Sequence, residues 1–183
     1  CQWHPFDHQR GYHPDPYWGG IYDAFRQKKT AFYMFSSQNP ASTGPMVHIA
    51  HEMTQFSDAD VTVFSNCDSV RLSIFDGAKS WTLPVKHEAG HMPNQPVIFP
   101  DVWSFWEARD LSYTQKNWQK VNMVAEGIID GKVVCTTKKM PSRRSTKLRL
   151  YVDHMDQQLV ADGSDFVVVV AEVTDDSGNT RRM

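Results

Sequence analysis

V-T-V-F-S-N-C-D-S-V-R-L-S-I, residues 61–74, predicts two neighbouring β-strands. Apolar and polar residues alternate from Val61 to Val63 and again through 69–74, a period of two that is typical of strands with one buried face. Asp76-Gly77 follows directly, and this pair tolerates the positive φ that tight hairpin turns require. The stretch therefore predicts a β-domain in which short strands are joined by hairpins.

The same pattern continues on both sides of this stretch. Val47 and Ile49 alternate with polar neighbours upstream, and residues 121–125 lead into a second Asp-Gly pair, Asp130-Gly131. The chain then returns through residues 133–135, which predicts a second hairpin and a β-sandwich of ordinary size. Between the hairpins, residues 93–100 predict a loop or edge strand, and residues 101–113 a short helix over the sheet.

The two ends of the chain differ from this central part. Residues 1–40 begin with an aromatic- and proline-rich loop, and residues 29–37 predict a short helix whose apolar face would pack against a larger body. Asn39-Pro40 and Gly44-Pro45 end regular structure and indicate a domain boundary. After a linker at 141–145, alternation resumes at Leu148, and the apolar run 166–173 predicts a strand buried on both faces.

Composition excludes several classes of protein. The 183 residues carry 19 basic and 21 acidic side chains, so no partner of strong charge, such as nucleic acid or an anionic membrane, is expected. No apolar run approaches the roughly 20 residues that cross a bilayer. The three cysteines, which lack a CxxC pattern, predict buried or free thiols and no structural metal.

Residues 87–91 match the H-E-x-x-H pattern of zinc proteases, with His87, Glu88 and His91 at the three positions. That chemistry requires a helix, but Gly90 lies inside the motif and prolines flank it, so a polar surface loop is favoured. We expect no metal site and no cofactor.

Histidines and carboxylates cluster near the start of the chain. This group could be a metal or acid–base site, or a polar loop that crosses a cleft, and its members are His4, Asp7, His8, His13 and Asp15. Aromatic residues lie among them and suit either a protein core or the apolar face of a sugar. Residue types alone leave these alternatives open.

Four segments in succession resemble glycoside hydrolase family 2. W-H-P-F-D-H-Q-R-G-Y (3–12) is similar to the eighth strand of that family's (β/α)8 barrel and the loop after it. D-A-F-R-Q-K-K-T-A-F-Y (23–33) is similar to the approach to the last barrel helix, D-x-x-R-x-P-K-x-x-Y-Y, with Lys28 at the usual proline. Residues 61–72 resemble the V-x-V-x-S-N-x-D-x-V-x-L strands of the following sandwich, and 159–165 with 172–179 resemble the opening of the next domain.

The resemblance implies a mainly β fold with three parts. Residues 1–40 would be the C-terminal end of the catalytic barrel, 45–141 an immunoglobulin-like β-sandwich, and 146–183 the truncated start of a second immunoglobulin-like domain. It also favours a periplasmic or extracellular location over a cytoplasmic one.

The resemblance further implies retaining hydrolysis of an oligosaccharide or β-galactoside by two glutamates about 5 Å apart. None of the chain's glutamates has the family's N-E or E-[YFH]-G context, so both catalytic groups are expected upstream of Cys1; the glutamates are Glu52, Glu88, Glu107, Glu126 and Glu172. Trp3 is expected to form the aromatic floor of the sugar subsite, with Asp7 and His8 reaching sugar hydroxyls or bracing the tryptophan.

A second hypothesis is a non-catalytic carbohydrate-binding or adhesive β-sandwich. Its sugar platform would be built from Trp103, Trp106 and Trp118. The first forty residues separate the two hypotheses, because a free-standing binding module has no use for a barrel strand and helix.

Overall fold

Antiparallel β-strands make up most of the regular structure. The computed structural model describes residues 7–9, 16–17, 19–24, 26–87, 92–153, 158–160 and 162–180. The chain separates into two compact units, residues 1–139 and 140–183. The prediction of a mainly β fold is confirmed.

The first unit contains nine strands and two short α-helices among the described residues. In chain order they are β1 His8–Gln9, β2 Pro16–Tyr17, α1 Thr30–Ser36, β3 Val47–Ala50, β4 Val61–Ser65, β5 Ser69–Ile74, β6 Lys79–Pro84, β7 Val97–Phe99, α2 Phe105–Arg109, β8 Met123–Ile129 and β9 Lys132–Lys139. Single helical turns occur at Ala41–Thr43, Asp110–Thr114 and Trp118–Lys120.

Two sheets form the body of this unit. One has three strands in the order β3-β4-β7, and the other has four in the order β6-β5-β8-β9; all neighbours are antiparallel. The alternation read from the sequence sets their faces, since Val70, Leu72 and Ile74 on β5 are fully buried and the residues between them are not. Side chains from both sheets join one hydrophobic core, as in a β-sandwich.

Both Asp-Gly hairpins are confirmed. Asp76-Gly77 lies in the turn between β5 and β6, and Asp130-Gly131 joins β8 directly to β9. All four residues have positive φ, between 51° and 85°. Aspartate and glycine are among the residues that adopt this conformation at low cost, which explains why these pairs mark the turns.

In its described residues the second unit contains one antiparallel strand pair, β10 Lys147–Asp153 and β11 Val168–Thr174. The sequence predicted that residues 166–173 are buried on both faces, but Val169 and Val173 are exposed whereas Glu172 and Thr174 are buried. Within the described part of this unit, the neighbour of β11 in the sheet is β10, and an isolated bridge joins Thr174 to Thr180. No helix in the described part of the chain is long and apolar enough to cross a membrane.

Candidate functional site

Asp7 is the best-defined polar group in the segment where the sequence predicted a sugar site. Its side chain is only 1% exposed, and its two carboxylate oxygens each accept a hydrogen bond from Lys29 Nζ at 3.0 Å. The Gly20 amide donates to the same carboxylate at 2.9 Å, and the Asp7 amide donates to the Tyr22 carbonyl at 2.9 Å. Asp7 therefore holds the chain at residues 20–22 and the chain at Lys29 together.

Lys29 occupies the position just before α1, at the lysine of the D-x-x-R-x-P-K pattern. Its amide donates to the Ile21 carbonyl at 3.0 Å, so its backbone and its side chain both contact the segment around Asp7. Upstream, Asp23 Oδ1 accepts from the Gln27 amide at 2.8 Å. This hydrogen bond closes the turn that precedes Lys29. Sequence reasoning assigned no role to Lys29; the signal was its place in the motif.

Helix α1 is held to the three-stranded sheet by polar and ring contacts. Tyr33 stacks on His48 of β3 with ring centroids 3.7 Å apart and planes 5° from parallel. After the helix, Asn94 Nδ2 donates to the Ser37 carbonyl at 2.7 Å, and Gln38 exchanges two further bonds with the Asn94 backbone. None of the helix's own residues is fully buried in this chain.

The structure describes only part of the predicted sugar site. Trp3 lies outside the described residues, and of His8 only the backbone is described, in β1 paired with Tyr17 of β2. Asp7 is brought together with Lys29 and Gly20. The sugar contacts proposed for Trp3, Asp7 and His8 stay predictions.

The four described glutamates each make an ion pair with a cation on another element. Glu52 contacts Lys139 at 3.4 Å, Glu107 contacts Lys79 at 2.8 Å, and Glu126 contacts Arg71 at 2.6 Å. Glu172, which is buried, pairs with Arg149. Glu126 and Glu172 lie directly opposite their arginines on neighbouring strands, where such pairs stabilise the register.

The H-E-x-x-H motif is described only at its first residue. His87 is exposed, and its Nδ1 atom is 3.2 Å from the Pro93 carbonyl oxygen. Glu88 and His91 fall outside the described residues. Within the described ranges, no group of three histidine, cysteine, aspartate or glutamate side chains could hold a metal ion.

An open groove of about 470 Å³ lies beside β3 and β4. Three carboxylates, Glu52, Asp58 and Asp60, line it together with His51. The imidazole of His51 is used in the fold: Nδ1 accepts from the Met53 amide at 3.1 Å, so Nε2 donates to the Asp58 carbonyl at 2.9 Å. Asp60 likewise accepts from the Asp101 amide at 2.8 Å.

The predicted tryptophan platform is not assembled as a single surface. Trp103 is 5% exposed and belongs to the core, with Nε1 donating to the Thr54 carbonyl at 3.1 Å. Trp106 is 65% exposed and lies 5.4 Å from the Arg109 guanidinium. Trp118, the third predicted member, is partly buried in the turn Trp118–Lys120, which leaves Trp106 as the most exposed of the three rings.

Comparison with known proteins adds to this geometry. The chain is 32% identical over 165 residues to a β-galactosidase of Thermoanaerobacter pseudethanolicus, a match that covers 87% of the chain and 21% of the relative. The chain thus spans about a fifth of the length of this curated relative. No protein-family profile matches the sequence.

Two solved structures of glycosidases also resemble this chain. A β-glucuronidase from glycoside hydrolase family 2 superposes with a TM-score of 0.60 at 27% identity, over 90% of this chain and 15% of that one. A β-glycosidase from Bacteroides vulgatus superposes with a TM-score of 0.65 at 22% identity, over 97% of this chain and 20% of that one. The resemblance to glycoside hydrolase family 2 is confirmed over most of the chain.

Proposed function

We propose that this chain is a segment of a retaining glycoside hydrolase of family 2 that cleaves β-galactosides or related β-glycosides. The similarity to a β-galactosidase over 87% of the chain carries the proposal. The order of the four sequence patterns, from residues 3–12 to 172–179, also supports it, because each pattern is moderately specific but their succession is hard to obtain otherwise.

In this proposal residues 1–40 end the catalytic barrel, 45–141 form an immunoglobulin-like sandwich, and 146–183 begin a second such domain. The two sheets with one shared core support the sandwich. The ion pair between Asp7 and Lys29 supports the first assignment, because it joins the two segments that resemble the last barrel strand and the approach to the last barrel helix.

The mechanism of such an enzyme needs an acid/base glutamate and a nucleophilic glutamate about 5 Å apart. The described glutamates are engaged in ion pairs with Lys or Arg, and none of the five has the family's sequence context. We therefore assign both catalytic groups to other parts of the full-length enzyme. This chain contributes binding residues, with Trp3 beneath the sugar and Asp7 and His8 reaching its hydroxyls or bracing the tryptophan. The bracing role suits Asp7 better, because its side chain is 1% exposed and both of its oxygens accept from Lys29.

A direct test measures hydrolysis of an aryl β-galactoside by the purified chain. No turnover above the blank is expected, because both carboxylates are missing, and release of the aryl group would contradict the assignment. The upstream reading frame gives a second test. It should encode N-E, the context of the acid/base glutamate, and then E-[YFH]-G, the context of the nucleophile. Their absence would also contradict the proposal.

The alternative, a carbohydrate-binding sandwich, rests on the exposed ring of Trp106. It predicts that the chain binds a glycan in titration calorimetry and that Trp106→Ala abolishes binding. Tyr113, which is also exposed, gives a matched control as Tyr113→Ala. We expect no binding that depends on Trp106.

A further inference from the structure

Two cysteines that are far apart in sequence meet in the four-stranded sheet. Cys67 immediately precedes Asp68, whose amide donates to the Ile128 carbonyl of β8 at 3.0 Å, and Cys135 lies on β9. Their Sγ atoms are 3.7 Å apart and both thiols are free. Cys67 lies in the connection between β4 and β5, so this contact joins that connection to β9.

Gly127 of β8 makes this approach possible. It pairs with Cys135 in the register of β8 and β9, and a Cβ placed on it would lie 2.6 Å from each of the two sulfur atoms. Any other residue would fill the space in which the sulfurs meet. A side chain at position 127 and a contact between the two thiols are mutually exclusive unless the cysteines shift.

The two thiols differ in access to solvent. Cys67 is 1% exposed, whereas Cys135 is only partly buried, so a small reagent reaches Cys135 first. Burial, together with the neighbouring Cys67 sulfur, raises the pKa of Cys135 to about 12. Because the thiolate is the reactive form, this thiol reacts slowly at neutral pH and faster as the pH rises.

We propose that Cys67 and Cys135 form an oxidative modification site that closes to an intrachain disulfide under hydroperoxides. The Cys135 thiolate attacks a peroxide oxygen, which breaks the O–O bond and gives a sulfenic acid and, after protonation, water. The Cys67 thiol then attacks the sulfenic sulfur, the S–S bond forms, and the hydroxyl leaves as a second water. Two thiols and one hydrogen peroxide thus give one disulfide and two waters.

Closure requires the sulfurs to move from 3.7 Å to the roughly 2.05 Å of a bond. The product links the connection between β4 and β5 to β9 and closes a long loop of chain. Restricting the unfolded state in this way stabilises the fold. We expect the melting temperature of the oxidised chain to rise by about 5 to 10 °C and to return on reduction with dithiothreitol.

The test uses the whole chain with Cys1→Ser, since Cys1 lies outside the described residues and could form unrelated disulfides. Treatment with hydrogen peroxide at pH 8.5 should lower the intact mass by about 2 Da and yield a proteolytic peptide that joins residues 67 and 135. Cys67→Ser and Cys135→Ser in the same background should each abolish the mass loss. Circular dichroism of these near-isosteric variants should match that of the parent chain, which checks that they fold.

Several results would overturn the proposal. One is a gain of about 32 Da at Cys135 without a cross-link, which marks a sulfinic acid with no partner in reach. Another is the recovery of both thiols unreacted after alkaline treatment, and a third is cross-linking between chains only. As a second variant, Gly127→Ala should lower the intrachain yield at least fivefold, and an unchanged yield would contradict the role of the glycine.

Discussion

At the scale of the residue, Lys29 decides whether the Asp7 carboxylate can remain buried. The Asp7 side chain is 1% exposed and accepts from Lys29 on both oxygens. Without the ammonium group, the Gly20 amide would be the one remaining hydrogen-bond donor to this carboxylate among the described residues. Removing one partner of a buried ion pair costs about 3 kcal/mol, because an uncompensated charge remains.

We therefore predict that Lys29→Met increases local opening of this segment by about 100-fold. Amide hydrogen exchange at Asp7, Gly20 and Lys29 measures this opening. Lys28→Met is the matched control: it removes the same charge from the adjacent residue, whose ammonium lies 4.6 Å from the centre of the Phe32 ring. Equal exchange in the two variants would show that the ion pair does not hold the segment.

Asp7 also shows what the sequence could and could not reveal about the site. The family pattern singled out the residue, and burial beside Lys29 was not visible because the two lie 22 positions apart. Spacing predicts contacts within a helix turn or across a hairpin. A contact made by folding a loop back on itself leaves no such periodic signal.

At the scale of the element, the inner strands of the four-stranded sheet, β5 and β8, were predictable because each has one buried face. Val70, Leu72 and Ile74 on β5 and Met123 and Ala125 on β8 alternate with polar neighbours, and the Asp-Gly pairs fix the turns. The apolar run 166–171, which leads through the first half of β11, gave no such pattern. An apolar run carries no information about which face finds partners, and most valines of β11 are exposed.

The contact between α1 and β3 predicts a pH effect. Burial lowers the pKa of His48 to about 4, and the Lys139 ammonium adds to this, while Glu52 opposes it. Between pH 6.5 and pH 4 this imidazole is protonated in the unfolded chain but neutral in the folded chain. The free energy of unfolding should therefore fall between pH 6.5 and pH 4, by about 1 to 2 kcal/mol after allowance for solvent screening.

His48→Phe tests this prediction, because a phenyl ring keeps the stacking on Tyr33 and cannot bind a proton. Urea unfolding at pH 7 and at pH 4.5 gives the two free energies for each protein. The difference between them should be smaller in the variant by about 1 kcal/mol, since all other titrating groups are common to both. An equal pH dependence would show that this histidine is protonated equally in the folded and unfolded states.

At the scale of the whole molecule, the two compact units differ in how they are stabilised. The first has a core to which both of its larger sheets contribute. In the second, Leu148 and Leu150 are more than 60% exposed. Hydrogen bonds to Asp175, which accepts from the amides of Arg143, Ser177 and Asn179, hold its segments together. Burial pushes the pKa of Asp175 up, but these hydrogen bonds outweigh it and hold the pKa below its usual value.

An isolated strand pair is marginally stable in water, so we predict that the second unit unfolds at a lower urea concentration than the first. Hydrogen exchange along a urea series should show β10 and β11 losing protection while β5 and β8 remain protected. The truncated chain 1–139 should then keep the later transition with an unchanged midpoint. A single transition that removes protection from β5, β8, β10 and β11 together would mean that the units fold as one body, and the stability of the strand pair would have to come from contacts outside itself.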